Sequence, residues 1–137
     1  MRTAVDSSIL LDVFGGSGPY LRGSQAALRE AIAAGSLVAG EVVWAELRGH
    51  FESDAGLSDA MATLSVRFEA STVAVSMEAG RAWAAYRSGG GTRRQMIPDF
   101  LVGAHALVCA DRLLTRDRGF SRRYFKNLKV WDPTRGD

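Results

Sequence analysis

The sequence predicts an α/β sandwich built on a mostly parallel sheet of about five strands. Three observations predict it. Short apolar runs of three or four residues recur along the chain, several run straight into a helix N-cap residue type, and segments with apolar residues at helical spacing lie between them. Strands that alternate with helices pack as a parallel sheet with the helices on its faces. The 137 residues, 47% apolar and 23% charged, are enough to bury one continuous core, so residues 1–137 are expected to form a single domain.

Thr3-Ala4-Val5 reads as the first strand, ended by the N-cap types Asp6-Ser7-Ser8. Ile9, Leu10, Val13 and Phe14 have helical spacing, and Gly15-Gly16-Ser17-Gly18-Pro19 breaks the chain after them. Residues 21–34 are rich in helix formers, with Gly35 suited to the C-terminal end. Leu37-Val38-Ala39 is the second strand. A helix follows Gly40, with Val42, Val43, Leu47 and Phe51 near one face, and residues 57–69 form another. Thr72-Val73-Ala74-Val75 is read as the third strand, with Ser76 capping a helix over 77–87. Ser88 to Arg94 is a glycine-rich loop, and Pro98 opens a strongly apolar helix that runs to about Cys109. Arg112 to Thr115 is the fourth strand, residues 117–124 a short helix, and Leu128 to Trp131 the fifth strand.

The net charge of +2 conceals an asymmetry. Residues 1–92 carry seven arginines against ten acids, whereas residues 93–135 carry eight arginines and two lysines against four acids. A basic end of this kind attracts polyanions, and arginine pairs bidentately with phosphate. The alternative is a solvated face in a chain that uses Arg 15 times and Lys twice. The single cysteine, Cys109, lies in an apolar run and excludes both a disulfide framework and a cysteine zinc site. Neither a signal-type N-terminus nor an apolar stretch of ~18 residues is present, so a cytoplasmic protein with no membrane contact is expected.

In open parallel sheets, ligands bind beyond the carboxyl ends of the strands. Asp6 falls at that end of the first strand, and Asp117 two residues past the fourth. Asp99 stands in the first turn of the apolar helix, and Glu46 interrupts the apolar face of Val43-Trp44-Ala45-Glu46-Leu47. Each has a structural reading of its own. Asp6 suits an N-cap, Asp99 a helix dipole, Asp117 a cap, and Glu46 a pairing with Arg48 or His50. Those readings leave unexplained why four acids flanked by apolar residues converge on one sheet edge. Clustered carboxylates need a counter-charge, and hard oxygen donors suit Mg²⁺ or Mn²⁺.

Asp6-Ser7-Ser8-Ile9-Leu10, Glu46-Leu47, Pro98-Asp99-Phe100-Leu101-Val102-Gly103-Ala104-His105-Ala106 and Leu113-Leu114-Thr115-Arg116-Asp117-Arg118-Gly119-Phe120 together resemble the four blocks of PIN-domain ribonucleases, specifically VapC-type toxins of toxin–antitoxin pairs. The resemblance runs from Arg2 to Trp131 and implies a PIN-like α/β/α sandwich. It also implies an endoribonuclease that uses Mg²⁺ or Mn²⁺ to activate water. Asp6, Asp99 and Asp117 would be metal ligands, Glu46 a ligand or the group that orients water, and Thr115 and Ser7 supporting hydroxyls. Arg93, Arg94, Arg116, Arg118, Arg122 and Arg123 are candidates for RNA contact, and the partners implied are RNA, a VapB-like antitoxin and a second copy in a homodimer.

Glu41 is a rival for Glu46, although its place directly after Gly40 suits an exposed first turn. His50 and His105 are read as structural. The Gly89-to-Arg94 loop lacks the Gly-Lys-Ser/Thr of a Walker phosphate loop and is read as a connector. A PIN-like RNA-binding or assembly module with little activity is the alternative function, and the presence of all four acids argues against it. A phosphatase would need a second Asp two residues after the first, where Ser8 stands.

Overall fold

The structure is a computed structural model that describes residues 1–117 and 119–135. The elements run β1 (Arg2–Val5), α1 (Ser7–Phe14), α2 (Leu21–Ala34), β2 (Ser36–Ala39), α3 (Glu41–Arg48), α4 (Asp54–Thr63), β3 (Val66–Phe68), α5 (Val73–Ser88), α6 (Pro98–Cys109), β4 (Arg112–Leu114), α7 (Gly119–Tyr124) and β5 (Val130–Trp131). The five strands form one sheet in the order β3-β2-β1-β4-β5, and every neighbouring pair is parallel. Ala4 sits between Val38 and Leu113, which fixes β1 at the centre.

The period of two along each strand sorts its side chains to opposite faces. Val5, Leu37, Ala39, Val66 and Leu114 pack against α1 to α4, while Ala4, Val38 and Leu113 pack against α5, α6 and Phe125. Two cores flank the sheet, giving the α/β/α sandwich expected. Gly103 of α6 makes the second core tight, since a Cβ there would come within 2.6 Å of the Phe125 ring. Among the described residues no helix is long and apolar enough to cross a membrane.

The third strand departs from the expectation. Residues 73–75 begin α5, and the strand is Val66–Phe68. The Thr72 hydroxyl accepts a hydrogen bond from the Val75 amide at 3.4 Å, an N-cap that turns the β-branched run into a first helical turn. Val75, Ala79 and Ala82 then line a buried helical face. The helix expected over 57–69 begins and ends earlier, with Ser53 accepting from the Gly56 amide at 3.0 Å. Ser65 takes a left-handed φ of 59°, which stops the helix and directs Val66 into pairing with Leu37.

Candidate active site

The strand order creates a crevice. From β1 the chain moves to β2 on one side, and β4 lies on the other, so connections leave the carboxyl ends of β1 and β4 in opposite directions. Asp6 is the first residue past β1 and Thr115 the first past β4. The Asp6 amide donates to the Leu114 carbonyl at 2.9 Å, which ties the acid's backbone to the neighbouring strand.

Hydroxyls surround the Asp6 carboxylate. Oδ1 accepts from the Ser7 amide at 2.8 Å, the N-cap bond of α1. Oδ2 accepts from the Thr115 hydroxyl at 2.6 Å and from the Ser8 hydroxyl at 3.4 Å. The Thr115 oxygen in turn accepts from the Asp117 amide at 2.9 Å. Thr115 is 1% exposed, so one buried hydroxyl links the acid after β1 to the turn after β4. Asp6 is thus the N-cap of α1 and a member of the candidate site at once.

Glu46 reaches the same place from α3, where the Ser7 hydroxyl donates to its Oε1 at 3.3 Å. Arg48 does not pair with it; that guanidinium donates to Asp54 at 2.7 Å and to the Phe51 carbonyl at 2.9 Å. The rival Glu41 faces elsewhere, accepting from the Ser71 hydroxyl at 2.6 Å and from its amide. His105 is buried, and its Nε2 lies 2.7 Å from the Glu69 carbonyl, which ties α6 to the chain beyond β3.

The electrostatics register the crowding. Burial raises the Asp6 carboxyl above its ordinary range, and the charge of Asp117 adds to the rise against the hydrogen bonds from Thr115, Ser7 and Ser8. Glu46 is raised by burial and then by Asp6. Asp99, in the first turn of α6, is pushed up to about 6 by burial, then by Asp117, Asp6 and Glu46, with Arg93 opposing. Four acids from four segments are therefore linked electrostatically through Asp6 and Asp99. Their oxygens are the right kind of donor for a hard divalent cation. Among the described residues no three acidic, histidine or cysteine side chains are drawn together into a ready-made metal shell.

The candidate arginines occupy different situations. Arg93 and Arg94 are exposed in the segment before α6, and Arg123 is exposed with its guanidinium 5.6 Å above the Tyr124 ring. Arg116 is engaged within the fold. Its Nε and Nη2 donate to the two oxygens of Asp12, both at 2.8 Å, and it lies 4.0 Å above the Tyr20 ring. Arg118 and the side chain of Arg122 lie outside the described residues.

Sequence reasoning missed Ser8, Asp12 and Ser24. Ser8 accepts from the Arg116 amide at 3.3 Å while donating to Asp6, and Ser24 donates to Asp12 at 2.7 Å. Asp12 interrupts Ile9-Leu10-Leu11-Asp12-Val13-Phe14 much as Glu46 interrupts its own apolar face, which was a readable signal. Its partner, 104 positions away, was not.

The PIN domain family model matches residues 3–126, and the chain belongs to the PIN domain family. Among solved structures, VapBC2 from Rickettsia felis bound to a promoter DNA fragment matches with a TM-score of 0.73 at 14% identity, covering 96% of this chain and 98% of that one. VapBC-1 from nontypeable Haemophilus influenzae matches with a TM-score of 0.70 at 18% identity, covering 98% and 99%. VapC20 from Mycobacterium tuberculosis, a toxin that cleaves the sarcin–ricin loop, matches with a TM-score of 0.56 at 16% identity, covering 93% and 98%. At these identities the likeness is one of fold. No curated protein matches the chain.

Proposed function

We propose that residues 1–137 act as a single-domain, divalent-metal-dependent endoribonuclease, the cytoplasmic toxin of a VapBC-like toxin–antitoxin pair. One observation carries the reading: at the sheet's switch point Asp6, Glu46 and Asp99 are each raised by burial and by a neighbouring carboxylate, with Asp117 among the charges that act on Asp6 and Asp99. Such a cluster is costly unless a cation neutralises it. Asp6, Asp99 and Asp117 would hold Mg²⁺ or Mn²⁺, which supplies when bound the charge that acidifies a water and offsets charge developing on a phosphate.

The chain's own residues prepare that chemistry. Thr115 holds Asp6 through a charge-assisted bond and fixes the Asp117 backbone, so the two acids keep their separation. Ser7 bridges Asp6, through its amide, and Glu46, through its hydroxyl, which keeps Glu46 where it can orient a water and accept its proton. The folded state holds the Asp99 proton up to about pH 6, so the carboxylate is ready to ligate at cytoplasmic pH. Arg93, Arg94, Arg118, Arg122 and Arg123 would bind RNA phosphates without reading bases.

The VapBC structures that share this fold support a VapB-like antitoxin as partner. Phe14 and Phe51 meet edge to face with centroids 5.3 Å apart and are only partly buried, which offers an amphipathic antitoxin helix a place on α1 and the turn after α3. An antitoxin arginine entering the acid cluster would supply the counter-charge in place of metal, and a second copy would complete a homodimer. Expression of the protein alone is expected to arrest growth, with arrest abolished by Asp6→Asn or by co-expressing the neighbouring antitoxin. Growth unaffected by abundant folded protein would refute the toxin reading.

A further inference from the structure

Arg116 carries a charge suited to RNA, yet the fold turns it inward. Its Nε and Nη2 donate to the two oxygens of Asp12, both at 2.8 Å, in the bidentate arrangement that is strong and directional. The Asp12 carboxylate is 11% exposed and takes a further bond from the hydroxyl of Ser24, a fully buried residue of α2. Tyr20, just before α2, has its ring 4.0 Å from the guanidinium. An ion pair this enclosed adds little net stability over apolar packing of the same volume. The hydrolytic chemistry does not use it either, so its reason lies in what it holds in place.

It holds the turn that presents Asp117. Thr115 and Arg116 are attached to α1 at three successive points: the Thr115 hydroxyl donates to Asp6 at the N-cap, the Arg116 amide to Ser8 in the first turn, and the Arg116 guanidinium to Asp12 in the second. Ser8 and Asp12 are four residues apart and so share one face of the helix. From Asp6 to Asp12 the attachment spans about 9 Å along the helix axis. The first two points are single hydrogen bonds, at 2.6 and 3.3 Å, whereas the third is ionic and two-pronged. Asp117 itself is exposed, and its amide donates to the Thr115 hydroxyl at 2.9 Å. With the guanidinium released, the turn would pivot about its Thr115 end and carry the Asp117 carboxylate with it.

We propose that Arg116, locked by Asp12 and Ser24, is a positioning residue for Asp117: it fixes that carboxylate relative to Asp6 and so sets the affinity of the site for a divalent cation. The inference rests on the reading of the acids as a metal site and deepens it. Ligand groups must be held within about 0.5 Å of the productive geometry, so a loosened turn lowers affinity even with every donor oxygen present. Arg116 thereby leaves the set of phosphate contacts, since both prongs of its fork are committed to Asp12.

The test is metal binding rather than turnover. Mn²⁺ is titrated into metal-free wild type, Asp117→Asn, and Arg116→Met and Arg116→Lys each alone and combined with Asp117→Asn. Free Mn²⁺ is read by electron paramagnetic resonance at a temperature where circular dichroism shows each protein folded. Arg116→Met should raise the Kd for Mn²⁺ about 10-fold, with Arg116→Lys in between, because an ammonium keeps the charge and loses the fork. On the Asp117→Asn background neither arginine variant should weaken binding further, since the effect passes through that carboxylate. A fold loosened in general would weaken both backgrounds alike. RNA binding in EDTA, followed by fluorescence anisotropy, should be unchanged by Arg116→Met. Equal Mn²⁺ affinity in wild type and Arg116→Met, or the same loss with and without the Asp117 carboxylate, overturns the proposal; a loss confined to RNA binding overturns it too and makes Arg116 a phosphate contact. Where Arg116→Met fails to fold, Arg116→Lys decides by the same comparisons. Mn²⁺ binding with this coupling and no RNA cleavage would keep the positioning role and remove the nuclease reading, whereas a wild type that binds no Mn²⁺ would remove both.

Discussion

Asp99→Asn should make the metal-free protein more stable at pH 8 and leave it nearly unchanged at pH 3. The folded state holds the Asp99 proton up to about pH 6, against 3.8 for an ordinary aspartate. Between those values it binds more protons than the unfolded chain, so stability falls as pH rises from about 4 to about 6 and levels off above. The full linkage corresponds to about 3 kcal/mol, and solvent screening of a half-buried carboxylate reduces it to about 1–2 kcal/mol. The attraction of the α6 N-terminus for a carboxylate, about 0.3–1 kcal/mol, opposes this. The net gain at pH 8 is therefore about 1 kcal/mol, a rise in Tm of about 2–4 °C for a domain of this size. Urea titrations followed by circular dichroism in EDTA, at pH 3 and pH 8, measure it. A loss of stability at pH 8, or the same change at both pH values, would refute the claim that the acids burden one another.

Thr115→Val removes a buried hydroxyl that donates to Asp6 and accepts from the Asp117 amide. Denaturation should show a loss of about 2–3 kcal/mol, and a loss below about 0.5 kcal/mol would mean that water replaces the hydroxyl, contrary to its burial. Arg116→Met leaves the nearly buried Asp12 with Ser24 alone and should cost about 1–3 kcal/mol. Asp12→Asn combined with Arg116→Met should then cost less than the sum of the two, and strict additivity would show that the pair contributes nothing. Neutralising Arg93, Arg94 and Arg123 together should weaken RNA binding across sequences and flatten its salt dependence, the slope falling by about 2–3 in log–log form; an unchanged slope would return them to a solvated face.

Much of this architecture was legible because local chemistry and tertiary need agreed. Asp6-Ser7-Ser8 announces an N-cap directly after an apolar run, and Pro98 with Gly103 marks a helix that is apolar nearly all round. Thr72-Val73-Ala74-Val75 misled because β-branched residues favour strands in isolation, whereas here the Thr72 hydroxyl and the burial of Val75 decide for a helix. Val66–Phe68 hid for the opposite reason, since it is a three-residue edge strand with only Val66 buried and no alternation to detect. The four acids were readable from their seams between apolar segments. The ion pair behind them was not, because Asp12–Arg116 joins residues 104 positions apart, and periodicity carries no information about such pairs.

The most direct test of the central claim is cleavage of end-labelled RNA containing a single-stranded loop by purified protein, with Mn²⁺, with Mg²⁺ and with EDTA, alongside Asp6→Asn and Asp99→Asn. The account predicts discrete internal cuts with either metal, none in EDTA, and a loss of at least about 100-fold in both variants, whose melting curves stay cooperative. Undiminished cleavage in EDTA, or by both folded variants, would contradict it.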